Sequence, residues 1–228
     1  MTNKPKPRLR KRIKRFFKGP PPPQPDTRIA VWQGHKLLYV RVPKCGNTSI
    51  MNAIDGVEKQ RMWASEIASI SDDWTTFSFV RNPWARIVST YRDKASTDSQ
   101  SKRMVDGVFA GFIEAGLPVT ENMSFAEFCE AVCDIPDAKT DKHLRSQASF
   151  LIRDGQPIVQ YIGKVENMET DWQVIMEKCQ LHFKLVHLNK TRHNHYSSYF
   201  GDQYLVNLVG DRYADDIRFF DYDFTRTN

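Results

Sequence analysis

The chain has 228 residues, in the range of one large domain, and 40% of them are hydrophobic, which excludes a disordered composition. Its net charge of +6 is concentrated at one end: nine of the 33 lysines and arginines fall in residues 1–18, which hold no acid, and the other 24 face 27 acids. The body thus lacks the global positive charge of a nucleic-acid binder, and no such partner is expected.

Residues 1–28 read as a basic, proline-rich tail, and 29–228 as a single domain. "RLRKRIKRFF" spaces Leu9, Ile13, Phe16 and Phe17 helically among bases. Such a stretch can lie on an anionic membrane surface, or serve only as a solubilising tail. "KGPPPPQPD" is a stiff spacer that cannot continue a helix. No apolar signal core follows the charges, and no run of about 18 apolar residues offers a membrane span. The expectation is a cytoplasmic protein, with peripheral membrane contact through the tail as the open alternative.

In chain order, the pattern predicts a strand or hairpin over 28–33, a strand over 36–42 and a helix from 47 to about 56. "TTFSFV", 75–80, is the next strand. In the helix "NPWARIVSTYRDK", Asn82 is the N-cap, Pro83 takes the first position, and Trp84, Ile87, Val88 and Tyr91 form one apolar stripe. The polar stretch 95–123 is expected to hold a helix around 103–115. "SFAEFCEAVCD" opens with a capping box, Ser124 and Glu127. A strand over 157–166 precedes the helix "ETDWQVIMEKCQ", and 201–220 holds one or two helices more. Alternating strands and helices argue an α/β fold, P-loop-like, with a mainly parallel central sheet flanked by helices. Cys45, Cys129, Cys133 and Cys179 match no zinc spacing and read as reduced, mostly buried thiols.

In such sheets ligands bind beyond the carboxyl ends of strands, where residues 43–49 and 81–83 both lie. In "RVPKCGNTSI", Gly46 allows close approach of the backbone, Thr48 and Ser49 offer hydroxyls, and Lys44 offers charge. This reads as a phosphate cradle, or else as a plain turn capped by Asn47. A nucleoside triphosphatase loop needs its lysine after the last glycine; here Lys44 precedes Gly46, and no strand ends in a convincing magnesium-binding aspartate. A cradle working without metal is the better reading. In "SFVRNPWARIVSTYR", Arg81 leaves a strand before a helix, and Ser89 lies off the apolar stripe. Arg81 has a fork suited to phosphate oxygens, unless it caps the sheet or pairs with an acid. Two cradles at neighbouring strand ends ask for one ligand with two separated phosphates.

These two segments resemble the phosphosulfate- and 3′-phosphate-binding segments of the carbohydrate sulfotransferases, the group that includes the chondroitin and dermatan sulfotransferases and short bacterial relatives. "YIGKVENMETDW", "HLNKTRHNHYSSYF" and "DRYADDIRFFDYDF" resemble later segments of that family, in order, over about 38–224. The resemblance implies a donor, 3′-phosphoadenosine-5′-phosphosulfate, no metal, and a carbohydrate or glycan acceptor. It implies Arg41, Pro43, Lys44, Cys45, Gly46, Asn47, Thr48 and Ser49 around the 5′ end, and Arg81 with Ser89 at the 3′-phosphate. Lys190 and Arg192 would be further anion contacts. Lys44 would be catalytic, at the oxygen between phosphate and sulfate.

The acceptor hydroxyl needs a base, and histidine is the usual one near neutral pH. "DAKTDKHLRSQASFL" is similar to a family stretch reading His-Trp-x-Pro-Gln, which points to His143 as the catalytic base; Leu144 and Ser146 replace the tryptophan and proline, and Gln147 is kept. His193 and His195 are rivals. Glu166 is either a base or a brace for the following helix, and His35, His182 and His187 read as structural. Two other readings stay open: a P-loop kinase-like phosphotransferase, and a module that binds a nucleotide without chemistry.

Overall fold

The computed structural model describes residues 27–96, 99, 101, 103–185 and 195–225. Residues 1–26 of the expected tail and the anion contacts Lys190 and Arg192 lie outside these residues, as do the rival His193 and His187; Thr27 and Arg28, expected at the end of the tail, instead begin the first strand.

The chain opens with a hairpin of β1 (Thr27–Trp32) and β2 (Leu37–Val40), paired antiparallel with Ile29 opposite Val40. All four residues of β2 are buried, as the continuous run "LLYV" demands of a central strand. A short helix, α1 (Asn47–Met51), follows the loop after β2. It stops well before residue 56, the expected end, and the chain turns at Gly56 with φ of 75°. Next come β3 (Glu58–Met62) and α2 (Ala64–Ala68). The strand β3 was not expected from sequence, since "EKQRM" has no apolar alternation. It pairs antiparallel with β1 as an edge strand, where a charged, exposed sequence is the norm.

Then β4 (Thr75–Val80) runs into α3 (Pro83–Lys94). The Asn82 side chain accepts from the N–H groups of Trp84 and Ala85, as expected of the N-cap. The predicted helix around 103–115 is not what forms. Met104–Val105 and Val108–Phe109 make a small antiparallel ribbon around Asp106 and Gly107, both at positive φ, and only then comes α4 (Ala110–Glu114). Further on lie α5 (Phe125–Val132), with its expected capping box, and α6 (Ala148–Leu151). The last strand, β5 (Tyr161–Lys164), precedes α7 (Met168–Lys178), α8 (Gln203–Arg212) and α9 (Ala214–Phe220).

The five-stranded sheet has the order β3-β1-β2-β4-β5. Pairs β2–β4 and β4–β5 are parallel, but both pairs of β1 are antiparallel, so the sheet is mixed rather than mainly parallel. The tight hairpin after β1 and the polar return along β3 cause the difference. In the parallel half, Phe79 stands opposite Gly163 and lies across it: a Cβ there would meet the ring at 2.5 Å.

Two apolar clusters form. One joins the sheet to α7 through Phe77, Phe79, Trp172 and Ile175. The other packs the stripe Trp84, Ile87 and Val88 against α5 and α8, with the Trp84 indole donating to the Val206 carbonyl at 2.9 Å. Each fully buried aromatic contributes roughly 2–3 kcal/mol. The helix α3 thus has its N-terminus at the sheet and its body in the second cluster. Cys45, Cys129 and Cys133 are buried, Cys179 is half-buried, and all four are free thiols.

Candidate active site

The loop after β2 is held in an unusual backbone shape. Lys44 has φ of 70° and Gly46 φ of 73°. A lysine there costs on the order of 1–3 kcal/mol, and such strain gathers at working sites. Gly46 suits this left-handed backbone, and a Cβ there would also displace the terminal methyl of Met168. Gly46 occupies the cap position of α1 and Asn47 is its first residue. Asn47 turns inward, accepting from the Tyr39 hydroxyl and donating to the Val42 carbonyl, both at 2.8 Å. It braces the loop instead of capping a helix. Thr48 is exposed and Ser49 half-exposed. Among the described residues, neither hydroxyl has a hydrogen-bond partner.

Gln147 ties this loop to the end of β4. Its carbonyl oxygen accepts from the Arg81 N–H at 2.8 Å and from the Cys45 thiol at 3.1 Å. Its amide nitrogen donates to the Arg81 carbonyl at 2.7 Å and to Asp216 at 3.1 Å. Burial pushes the Cys45 thiol up to about 12, so it stays protonated and donates. Asp216 is fully buried; burial raises its carboxyl pKa against the opposing charge of Arg86 and the bonds from Gln147 and Ala148. Arg86, only 1% exposed, donates to the carbonyls of Pro43 (3.1 Å) and Arg145 (2.7 Å). Pro43 and Cys45 are thus structural in this geometry.

The Arg81 guanidinium and the Ser89 hydroxyl, both half-exposed, have no hydrogen-bond or ion-pair partner among the described residues. Beside Arg81, the Asn82 N–H donates to Glu166 at 2.9 Å, and the Tyr222 hydroxyl donates to the other oxygen of that carboxylate at 3.1 Å. Glu166 therefore braces the turn, the second of the two roles its sequence context left open.

Lys44 reaches across to α3. Its ammonium lies 2.8 Å from Asp93, and Lys94 shares the same carboxylate oxygen at 3.2 Å. Burial lowers the Lys44 pKa, with Asp93 opposing and the nearby charges of Lys94 and Arg81 adding to the fall. Burial works against the Asp93 carboxylate, but the hydrogen bond and charge of Lys44, with Lys94, outweigh it and hold its pKa below the ordinary value.

His143 packs edge-on against the Phe109 ring, over which the Lys94 ammonium sits at 4.1 Å. Its Nδ1 is 2.5 Å from Asp141, whose carboxylate also accepts the His143 N–H at 2.9 Å. The Thr90 hydroxyl donates to the His143 carbonyl at 3.2 Å, fixing this loop to α3 next to Ser89. Burial lowers the imidazole pKa, with Asp141 opposing and Lys142 and Lys94 adding to the fall. Burial alone would raise Asp141, but the bonds from His143 dominate and hold it at about 2. A carboxylate on Nδ1 fixes the tautomer that leaves Nε2 as the acceptor. His195 is exposed and engaged with Ser197 and the Tyr196 ring. His35 is exposed with its ring edge-on to Phe183, and His182 is exposed.

Arg41 leans to the other side of β2 and lines a cleft of about 420 Å³ with Arg28, Lys59, Gln60 and Arg61. The sequence reading missed Arg86, Asp216, Asp93 and Asp141, all charged residues beside apolar stripes or loops that look like ordinary surface. Among the described residues, no cluster of three or more His, Cys, Asp or Glu is arranged to hold a metal, and no helix is long and apolar enough to cross a membrane.

A family model, described as "Sulfotransferase family", matches residues 27–223. A search of the curated proteins and a search of the solved structures each returned no match.

Proposed function

Because the chain belongs to the sulfotransferase family, we propose that it moves a sulfuryl group from 3′-phosphoadenosine-5′-phosphosulfate to a hydroxyl of a carbohydrate, without a metal. The observation that carries this reading is Gln147, which bonds both anion turns at once. It ties the loop at 44–49 to the start of α3, so that the two turns keep a fixed relation. The residues fit such a donor. Gly46 allows close backbone approach, and among the described residues the hydroxyls of Thr48, Ser49 and Ser89 and the Arg81 fork have no partner and can take a phosphate.

When bound, the donor supplies an activated sulfuryl group. Lys44 sets its charge where negative charge grows as the S–O bond breaks, so its contribution is larger in the transition state than in the ground state. In the resting site Lys44 is parked on Asp93, a contact it exchanges for the donor. His143, held by Asp141, is neutral near pH 7 and takes the acceptor hydroxyl's proton on Nε2. Gln147, Glu166 and Arg86 touch no reacting atom; they keep the two turns in place. The P-loop-like character of the fold lies in the strand, loop and helix from Leu37 to Met51.

The test is transfer of radiolabelled sulfate from the donor to a panel of oligosaccharides, with a chelator present. Label on a sugar supports the reading. Chelator-sensitive hydrolysis of ATP, or tight binding of 3′-phosphoadenosine-5′-phosphate with no transfer to any acceptor, would overturn it.

A further inference from the structure

One cation inside the site has no part in the mechanism above. Lys94 ends α3, next to Asp93, and its side chain is only 11% exposed. Its ammonium lies 3.2 Å from the Asp93 carboxylate oxygen that Lys44 holds at 2.8 Å. It also donates to the Ser101 hydroxyl at 3.0 Å and sits 4.1 Å from the centre of the Phe109 ring. The same ring meets the His143 imidazole edge-on, with centroids 5.4 Å apart. Lys94 therefore stands between Lys44 and His143, linked to one by a shared carboxylate and to the other by a shared ring.

Two ammonium groups on one carboxylate oxygen repel each other, so each holds it less firmly than it would alone. Burial lowers the Lys44 pKa against the bond and charge of Asp93, and the charges of Lys94 and Arg81 add to the fall. When Lys44 moves to the donor, Asp93 loses its nearer partner, and an unpaired charge in a part-buried place is unfavourable. Lys94 can remain there, because its contacts with Ser101 and the Phe109 ring do not involve Lys44. The same cation weighs on the base. His143 is faced by Asp141 and Lys142 from its own loop, by Lys94 from α3 and by the uncharged Phe109 ring. Burial, then Lys142 and Lys94, lower its pKa against Asp141. Lys142 in turn feels Asp141, Arg28, Arg103 and Lys94.

We propose that Lys94 is a positioning residue for the reaction: it stays on Asp93 as Lys44 leaves for the donor, so that the exchange never strips the carboxylate of its counter-ion, and it keeps a fixed positive charge beside His143. This rests on the sulfuryl-transfer reading. Lys94 touches no reacting atom, and no bond is made or broken on it. A neutral side chain in its place would leave Lys44 as the sole cation on Asp93 and hold it there.

The test compares Lys94→Gln, which can still donate to Asp93 and Ser101, with Lys94→Arg, which keeps the charge, and repeats Lys94→Gln in an Asp93→Asn background. Melting temperatures check that each full-length variant folds. Affinity for 3′-phosphoadenosine-5′-phosphate is read by calorimetry, and the His143 imidazole of the free protein is titrated by NMR. Lys94→Gln should weaken the nucleotide about three- to tenfold alone and less than about twofold beside Asp93→Asn, the coupling expected of groups in contact. It should also move the His143 titration to higher pH, because a neighbour that disfavours the imidazolium is gone. Lys94→Arg should stay near the wild type in both. Equal losses in the two backgrounds, an unmoved titration, or an arginine variant that behaves like the glutamine one would overturn the proposal. A wild-type chain that binds no nucleotide overturns the sulfuryl-transfer reading and the release step with it, whereas the failures just named, in a wild type that binds, fall on Lys94 alone.

Discussion

The two halves of the sheet treat charge in opposite ways. On the β4 side, Gln147, Asp216 and Glu166 are held by main-chain and side-chain hydrogen bonds, and Arg86 donates to two carbonyls, its Nη2 alone being buried without a partner among the described residues. On the β1–β3 side, Arg28, Arg41 and Arg61 are aligned against each other with no acid between them. The first half is a scaffold whose polar groups hold a shape, and the second is a row of guanidinium groups with no ion-pair partner among the described residues. Satisfied buried networks specify geometry, whereas unpaired surface charge specifies what can approach.

The division is broken most severely at its centre. His143→Ala should lower the rate of transfer about 10²- to 10⁴-fold while the affinity for 3′-phosphoadenosine-5′-phosphate, read by calorimetry, stays unchanged. Since burial lowers the imidazole pKa, the base stays neutral, and the wild type active, to a pH below the ordinary histidine value of about 6.5. An acid limb above that value would contradict the assignment. Next, Lys44→Ala should cost about 10²- to 10³-fold in turnover with far less loss of donor binding; equal losses in the two would show uniform binding instead.

The scaffold half is tested by Gln147→Leu. It strands both main-chain groups of Arg81 and removes one bond each from the Cys45 thiol and Asp216, which keep Pro43 and Ala148 as partners, and should cost about 3 kcal/mol, a drop in melting temperature of roughly 6–12 °C. A neutral outcome would mean that the two turns hold their places independently. The smallest effect is expected at the rim. Arg81→Ala should weaken the 3′-phosphorylated nucleotide by about 2 kcal/mol, or roughly thirtyfold, and barely touch the nucleotide lacking that phosphate. Equal weakening of both would remove Arg81 from the 3′-phosphate.

Much of the scaffold was legible because its signals are local. The run "LLYV", the Asn82-Pro83 cap and the stripe Trp84, Ile87 and Val88 each state an element in a few residues. The spacing around Lys44 and Gly46 located the first turn, although Asn47 proved to be a brace. The failures are equally specific. "VDGV", residues 105–108, is an Asp-Gly hairpin signal that the helical reading of 103–115 passed over. The edge strand β3 carries no apolar alternation, because an edge can be charged on both faces, so neither it nor the mixed sheet could be inferred from pattern. Arg86 and Asp216 look like surface charges in their helices; only tertiary packing buries them. The Arg61–Arg28–Arg41 row depends on two registers, which no local pattern contains.

The central claim is that one nucleotide bridges the turns that Gln147 joins. It is tested most directly by a crystal structure of the chain with 3′-phosphoadenosine-5′-phosphate. The account predicts the 5′-phosphate on the loop of Lys44 to Ser49, with Lys44 released from Asp93, and the 3′-phosphate on Arg81 and Ser89. A nucleotide seated elsewhere, or only one of its phosphates on these turns, would contradict it.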